Sequence, residues 1–229
     1  MAELKQVHQQ NESDLVVDRA RDFWARYGRT ILIACAAIIV IGGGYLAYKY
    51  LVKEPKEQKA ADASFKAEEY FAQDSVKQAL NGDGQYPGFE KIASQYSGTK
   101  AGELAAFYAG ALNLKAGDNQ KAVKYLKDFS TDAKQIQARA YKLLGDAYAN
   151  LNQNSDALNA YKKAAHEFED DANSASEYLF TAAYFADRVL NDKKAATELF
   201  KELKKKYPNT QYGFDADKYL AQQGVYDAE

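Results

Sequence analysis

Apolar residues follow two different patterns along the 229-residue chain. The segment from Thr30 to Tyr48 carries no charge and is dominated by Ile, Leu, Val and Ala. At about 1.5 Å per helical residue it covers roughly the 30 Å of a bilayer core, which predicts one transmembrane helix over residues 30–50. After residue 60 the apolar positions recur at helical spacing between polar turn residues, which predicts a series of short helices.

Aromatic and basic side chains flank the apolar segment, as they do at membrane interfaces. A cleavable signal peptide fits less well, because a long charged tail precedes an apolar run that exceeds the roughly 7–15 residues of a signal sequence. The tetrapeptide ending at Cys35 resembles a lipoprotein box, but the apolar run continues well past it. We therefore predict a permanent anchor, and its interfacial residues are Trp24, Tyr27, Arg29, Tyr48 and Lys49.

The orientation of this helix does not follow from charge, since four basic residues lie close to each of its ends. Long C-terminal domains can translocate whatever their charge, which favours a cytoplasmic tail and a domain outside the cytoplasm. The predicted division is a tail over residues 1–29, a transmembrane helix over 30–50, a linker over 51–59 and a domain over 60–229.

Self-similarity is present in the domain. Gly110 and Ala122 precede Gly145 and Ala157 by 35 residues each, close to the 34 residues of a tetratricopeptide repeat. The tetratricopeptide order is an aromatic residue, then Leu-Gly and Tyr on one helix, and Ala followed by an aromatic residue on the next. The residues that match it here are Tyr141, Leu144, Gly145, Tyr148, Ala157 and Tyr161.

These patterns predict an all-α fold, in which a single N-terminal transmembrane helix is followed by a TPR-like α-solenoid of helical hairpins. We expect an early hairpin with helices over 60–80 and 88–96, and turns at 115–118, 150–154 and 190–192. A looser third copy around Phe180 and Phe200 implies a small insertion near residues 167–175. A final helix over 212–223 is predicted to cap the stack.

Composition and motifs point away from several classes of function. The net charge of −2 provides no basic field for a nucleic acid, and the single cysteine allows neither an intramolecular disulfide nor a Cys-based metal cluster. A Gly-rich phosphate loop, zinc-ligand spacing and a nucleophile with its base are not recognisable in the sequence. We predict that the protein is not an enzyme and needs no cofactor, the alternative being a cryptic hydrolase that uses His166.

The first helix of each hairpin is predicted to line an inner groove that binds a protein segment by shape and a few charges. We expect the groove to be lined by residues of these first helices that point away from the positions packed between helices. The ten predicted groove residues are Phe107, Ala111, Leu114, Arg139, Lys142, Asp146, Asn150, Tyr178, Phe185 and Arg188.

Three stretches of the chain resemble a known family: Asp18 to Gly28, Tyr70 to Phe89, and Thr99 to Gly102. With the order tail, apolar helix and repeat domain, they resemble the YfgM-like ancillary subunits of the bacterial Sec translocon, in the form found in Bacteroidota. The resemblance implies an inner-membrane anchor, a periplasmic repeat domain, and SecYEG and a membrane-anchored PpiD-like chaperone as partners. The alternative is a scaffold for envelope assembly or cell division that uses the same groove.

Overall fold

The computed structural model describes residues 2–226, with side chains from residue 17 onwards, and this part of the chain contains helices and turns but no strands. The all-α prediction is therefore confirmed. Met1 and residues 227–229, which belong to the predicted tail and domain, lie outside the described residues. The chain divides into two compact units, Met1–Pro55 and Lys56–Glu229.

The first unit consists of helix α1, Ala2–Tyr48, and a π-helical turn, Lys49–Lys53. Its apolar part is long enough to cross a membrane and buries none of its side chains; Ile38 and Ile41, for example, are 69% and 72% exposed. A core helix of a globular protein would have this apolar surface covered. The helix is therefore compatible with a single-pass membrane anchor.

Residues 51–59, expected as a linker, are helical. The π-helical turn extends to Lys53, and α2 begins at Glu54 and continues to Ala72. Lys, Glu and Gln, which are good helix formers, make up most of the segment. Pro55 does not interrupt it, because proline is tolerated in the first turn of a helix.

Nine further helices follow α2 in the described chain. Their bounds are α3, Val76–Asn81; α4, Phe89–Gln95; α5, Lys100–Lys115; α6, Asn119–Leu126; α7, Lys134–Asn150; α8, Asn154–Glu167; α9, Ala172–Arg188; α10, Lys193–Lys206; and α11, Gln211–Gln222.

One predicted helix is wrong, because the segment 60–80 forms two helices instead of one. The break lies at Gln73–Ser75, where Asp74 has a φ of +56°. Aspartate tolerates this left-handed conformation better than most residues and favours turns over helix interiors. The predicted second helix of this hairpin, 88–96, agrees with α4.

The three predicted turns are confirmed. Gly117, Asn152 and Asn191 have φ values of +83°, +58° and +53°, respectively, and each follows the end of a helix. The side chains of Asp118 and Asp192 then cap α6 and α10 by accepting hydrogen bonds from backbone amides.

Small residues lie where the two helices of a hairpin cross closely. A Cβ atom added at Gly145 on α7 would lie 2.5 Å from the ring of Tyr161 on α8, and one added at Gly110 on α5 would overlap Leu126 on α6. Ala157 is completely buried at the same crossing as Gly145. Small residues therefore set the close approach of these helices, as the repeat pattern predicts.

The core of the second unit consists of clusters shared between neighbouring hairpins. The N-terminal cluster contains Ala67 of α2 and Phe89 and Ile92 of α4, and the C-terminal cluster contains Leu179 of α9 and Phe200 of α10. The first helix of each successive hairpin is α2, α5, α7 and α9, and α11 packs at the end. This is the arrangement of a TPR-like helical array.

Candidate protein-binding groove

A groove of about 540 Å³ runs across the first helices of four successive hairpins. Each helix supplies only a few side chains, and a surface shared between successive helices suits an extended or helical protein segment. We call it the inner groove. It is lined by Phe71 of α2; Leu104, Phe107, Tyr108 and Ala111 of α5; Gln135, Ile136 and Arg139 of α7; and Ser174 and Tyr178 of α9.

Aromatic rings form much of the wall. The ring centroids of Phe71 and Tyr108 are 4.9 Å apart, and those of Phe107 and Tyr108 are 5.6 Å apart. Tyr178 is half-buried, and burial raises the pKa of its hydroxyl. Arg139 is the one charged residue in the lining and is exposed. The inner groove therefore offers apolar contact together with a single positive charge.

Four of the ten residues predicted for the groove line this surface: Phe107, Ala111, Arg139 and Tyr178. Phe107 is only 7% exposed and also packs against Phe129, so most of its side chain belongs to the core and only a small part of it lines the groove.

Three predicted groove residues instead make contacts within α7 or between α7 and its neighbouring helices. The ammonium of Lys142 lies 2.8 Å from a carboxylate oxygen of Asp146, whose other oxygen accepts a hydrogen bond of 3.0 Å from the hydroxyl of Tyr161. The side-chain amide of Asn150 donates to Asn119 over 3.0 Å. The contacts of Asp146 and Asn150 hold α7 against α8 and α6, whereas the Lys142 pair lies within α7.

The remaining three predicted residues lie away from the inner groove. Phe185 is 8% exposed and its ring centroid lies 5.4 Å from that of Tyr161, so it belongs to the core. Arg188 pairs with Asp187 and donates to Gln222 of α11. Leu114 is half-buried outside the lining. The placement of Phe185 is corrected because α8 covers that side of α9.

Sequence reasoning missed six lining residues. Leu104 and Ile136 each precede a correctly chosen residue by three positions, so the helical spacing that selected Phe107 and Arg139 already contained the signal. Tyr108 and Gln135 are adjacent in sequence to lining residues, and Ser174 lies one helical turn before Tyr178. Phe71 was hidden because the pattern predicted an unbroken helix through Leu80.

His166 takes part in an ion-pair network between α8 and α10. Its Nε2 lies 2.8 Å from Glu202 and its Nδ1 lies 2.7 Å from the carbonyl oxygen of Lys162. The ammonium of Lys206 lies 3.0 Å from Glu202 and 2.7 Å from Glu169. Although burial raises the pKa of Glu202, the hydrogen bonds from His166 and Lys206 outweigh it and hold the pKa below its ordinary value.

This network bears on the hydrolase alternative and on metal binding. Both ring nitrogens of His166 face oxygen acceptors, so neither is directed at a nucleophile among the described residues. His166, Glu169 and Glu202 offer ligand atoms within 4.8 Å of one another, but the ammonium of Lys206 already pairs with both carboxylates. The arrangement is that of a structural contact between helices.

Four of the five predicted anchor residues of the first unit are exposed along α1, and the fifth, Lys49, is half-buried in the following turn. Trp24, Tyr27 and Tyr48 are 55%, 46% and 57% exposed, and Arg29 is also exposed. The ammonium of Lys49 lies 5.2 Å from the ring of Tyr50. Their contact with lipid stays a prediction.

Comparison with known proteins agrees with this architecture. The family model of the tetratricopeptide repeat-like domain matches residues 21–140, and a second model, described as tetratricopeptide repeat, matches residues 177–210. No curated protein matches the chain. Tetratricopeptide repeat families are generally non-catalytic scaffolds, and their domains indicate a role in protein–protein interaction. With more than half of its length matched, the chain belongs to the tetratricopeptide repeat-like domain family.

Proposed function

We propose that this protein is a non-catalytic, membrane-anchored subunit associated with the SecYEG translocon. In this proposal α1 spans the bacterial inner membrane with its N-terminus in the cytoplasm. The repeat domain lies in the periplasm and presents the inner groove to a PpiD-like membrane-anchored chaperone or to proteins that emerge from the translocon.

The observation that carries the proposal is the inner groove, which extends across α2, α5, α7 and α9. A surface built from four helices matches the length of a protein segment better than that of a small metabolite, and its exposed Arg139 adds a charge that can select a partner. The choice of the Sec translocon rests on the resemblance of residues 18–28, 70–89 and 99–102 to YfgM-like subunits.

Anchoring makes weak binding sufficient. A groove held near the translocon exit meets its partner at a high effective concentration, so that binding within the assembly is strong even when the intrinsic affinity is modest. The apolar helix α1 and the aromatic groove therefore serve one purpose in this proposal, which is to keep a binding surface beside the site of translocation.

The association is tested by purification of the full chain in mild detergent, followed by mass spectrometry. We expect SecYEG subunits and a PpiD-like chaperone to copurify. Their absence, with division or envelope-assembly proteins in their place, overturns the Sec proposal in favour of a scaffold. A reporter fused to the C-terminus tests the orientation, since only a periplasmic C-terminus supports alkaline phosphatase activity.

The groove is tested in the same purification with the double variant Arg139→Glu, Tyr178→Ala. We expect about tenfold less captured partner because both a charge and an aromatic contact are lost. Lys201→Glu on α10 is the control, as it makes the same charge change at an exposed position outside the groove lining. Unchanged capture by a variant whose circular dichroism matches that of the wild type removes the groove from the proposed function.

A further inference from the structure

A second cavity adjoins the inner groove. It has a volume of about 770 Å³ and lies between the start of α5 and the loop that joins α6 to α7. Leu104 and Ile136 line both the cavity and the inner groove, so the two form one continuous surface. Other lining residues include Thr99, Glu103, Phe129 and Asp132.

The charge of this cavity is opposite to that of the inner groove. Its lining contains three carboxylates, those of Glu103, Asp128 and Asp132, and one amine, that of Lys100. Glu103 accepts a hydrogen bond from the amide of Gly98. Throughout residues 17–226, Asp128 and Asp132 form neither a salt bridge nor a hydrogen bond. Two exposed carboxylates thus line a cavity that also has apolar side chains in its lining.

The loop that carries these carboxylates is held in a defined shape. The side chain of Gln137, which is 4% exposed, accepts a hydrogen bond of 3.0 Å from the amide of Thr131 and donates one of 3.4 Å to the carbonyl oxygen of Phe129. Phe129 is itself only 5% exposed. A loop fixed in this way loses little conformational entropy when a ligand binds, which favours binding.

We propose that this cavity binds a lysine or arginine side chain of the same protein segment that occupies the inner groove. The inference rests on the proposed function and adds the chemistry of the partner. The aliphatic part of a basic side chain packs on Leu104, Phe129 and Ile136, and its charged end meets Asp128 and Asp132. An acidic or polar group of the same segment reaches Arg139.

The distance between the acidic cavity and Arg139 sets a second property of the bound segment. Ala133, which lines the cavity, immediately precedes α7 and lies six residues before Arg139, or about 9 Å along the helix axis. An extended chain covers that distance in about three residues. The preferred segment therefore carries a basic residue and an acidic residue about three positions apart, with an apolar residue between them.

The test selects peptides from a random 12-residue library displayed on phage, with the full chain in detergent micelles as bait. We expect enrichment of basic residues paired with an acidic residue at this spacing. The double variant Asp128→Asn, Asp132→Asn should weaken the binding of a selected peptide about three- to tenfold. Replacement of the basic residue of the peptide by Gln should weaken its binding to the wild type by a similar factor. The same peptide change should have little further effect on binding to the double variant, because the two changes remove the same contact. The double variant Asp62→Asn, Glu68→Gln, at exposed positions of α2, is the control and should bind as the wild type does.

The outcomes separate the two proposals. Peptides that depend on Arg139 and Tyr178 but show no basic preference, or bind the Asp128 and Asp132 variant equally well, overturn the cavity assignment and leave the groove proposal standing. A library that yields no peptide dependent on Arg139 and Tyr178 overturns both. A selected sequence that occurs in this chain itself identifies a second copy as the occupant and overturns the assignment to a separate partner.

Discussion

Gly145 lies at the point where α7 crosses α8, and its lack of a side chain allows the ring of Tyr161 to fit against the helix backbone. The hydroxyl of Tyr161 reaches back to Asp146 on α7. Burial is the largest cause that raises the pKa of this hydroxyl, and the Asp146 carboxylate raises it further. One small residue and one large residue thus define the closest contact of this hairpin.

Replacement of Gly145 by alanine should destabilise the protein by about 1–2 kcal/mol, although alanine favours helix formation by up to roughly 1 kcal/mol. The added methyl group must displace the buried ring of Tyr161. Urea unfolding of Gly145→Ala, Tyr161→Leu and the double variant measures the coupling between the two positions. Because leucine leaves more room beside position 145, the cost of Gly145→Ala should be smaller in the Tyr161→Leu background. Strictly additive free energies would contradict the steric explanation.

Two helices of the second unit begin with the same local motif. The hydroxyl of Thr99 accepts a hydrogen bond from the amide of Gly102, and the hydroxyl of Thr210 accepts one from the amide of Gly213, at 3.0 and 3.1 Å. Each glycine lies so close to a preceding tyrosine carbonyl that a Cβ atom would overlap it. The Tyr-x-x-Thr-x-x-Gly spacing therefore encodes the start of both α5 and α11.

α5 has an additional cap that comes from a distant helix. Both carboxylate oxygens of Glu57 on α2 accept hydrogen bonds of 2.9 Å, one from the amide of Lys100 and one from the amide of Ala101. These amides belong to the first turn of α5, where no intrahelical acceptor is available. Glu57 therefore links the start of α2 to the start of α5. Its negative charge also interacts favourably with the positive end of the α5 dipole.

Glu57→Ala should destabilise the second unit by about 1–2 kcal/mol, since it leaves two helix-terminal amides without this acceptor. Hydrogen exchange of residues 98–104, followed by mass spectrometry, should become faster by at least severalfold. Glu68→Ala on the same helix is the matched control, because this exposed side chain makes no hydrogen bond in the part of the chain described here. Equal exchange in the two variants would show that the Glu57 contact is not maintained in solution.

The array as a whole ends at α11, which covers the apolar side of the last hairpin. The ring centroids of Tyr219 and Phe200 are 5.0 Å apart, and Leu220 is 2% exposed. The buried carboxylate of Asp187 adds a polar link, because it accepts hydrogen bonds from Lys193 at 2.7 Å and from Gln223 at 3.0 Å. Without α11 the last hairpin would expose this surface to water.

Removal of residues 211–229 should lower the free energy of unfolding by about 3–6 kcal/mol, because the burial of several large apolar side chains is lost. The truncated protein should also self-associate in size-exclusion chromatography. A chain that lacks only residues 227–229 is the control. If the truncation does not fold, Asp187→Ala provides a milder variant, with an expected loss of about 1–3 kcal/mol. A truncated protein as stable and as monomeric as the control would contradict a capping role for α11.

Features that depend on local spacing could be predicted from the order of residues. Uncharged residues over a bilayer length predicted the apolar helix, and small residues 35 positions apart predicted the close helix crossings near Gly110 and Gly145. Turn residues such as Asn152 and Asn191 predicted where helices end. These features follow from backbone preferences and helical periodicity. Both act over a few neighbouring residues, so the local sequence is enough to predict them.

Which side chains face the groove depends on how the helices pack, and local spacing did not predict it. Phe185 and Phe107 are almost equally buried, but Phe185 packs against Tyr161 of α8 while Phe107 also lines the groove. Gln137 fixes the loop beside the acidic cavity through hydrogen bonds that no short sequence motif predicts. The physical reason is that the exposure of a helical residue depends on how neighbouring helices are rotated and spaced, and this is the sum of many packing contacts between residues far apart in the chain.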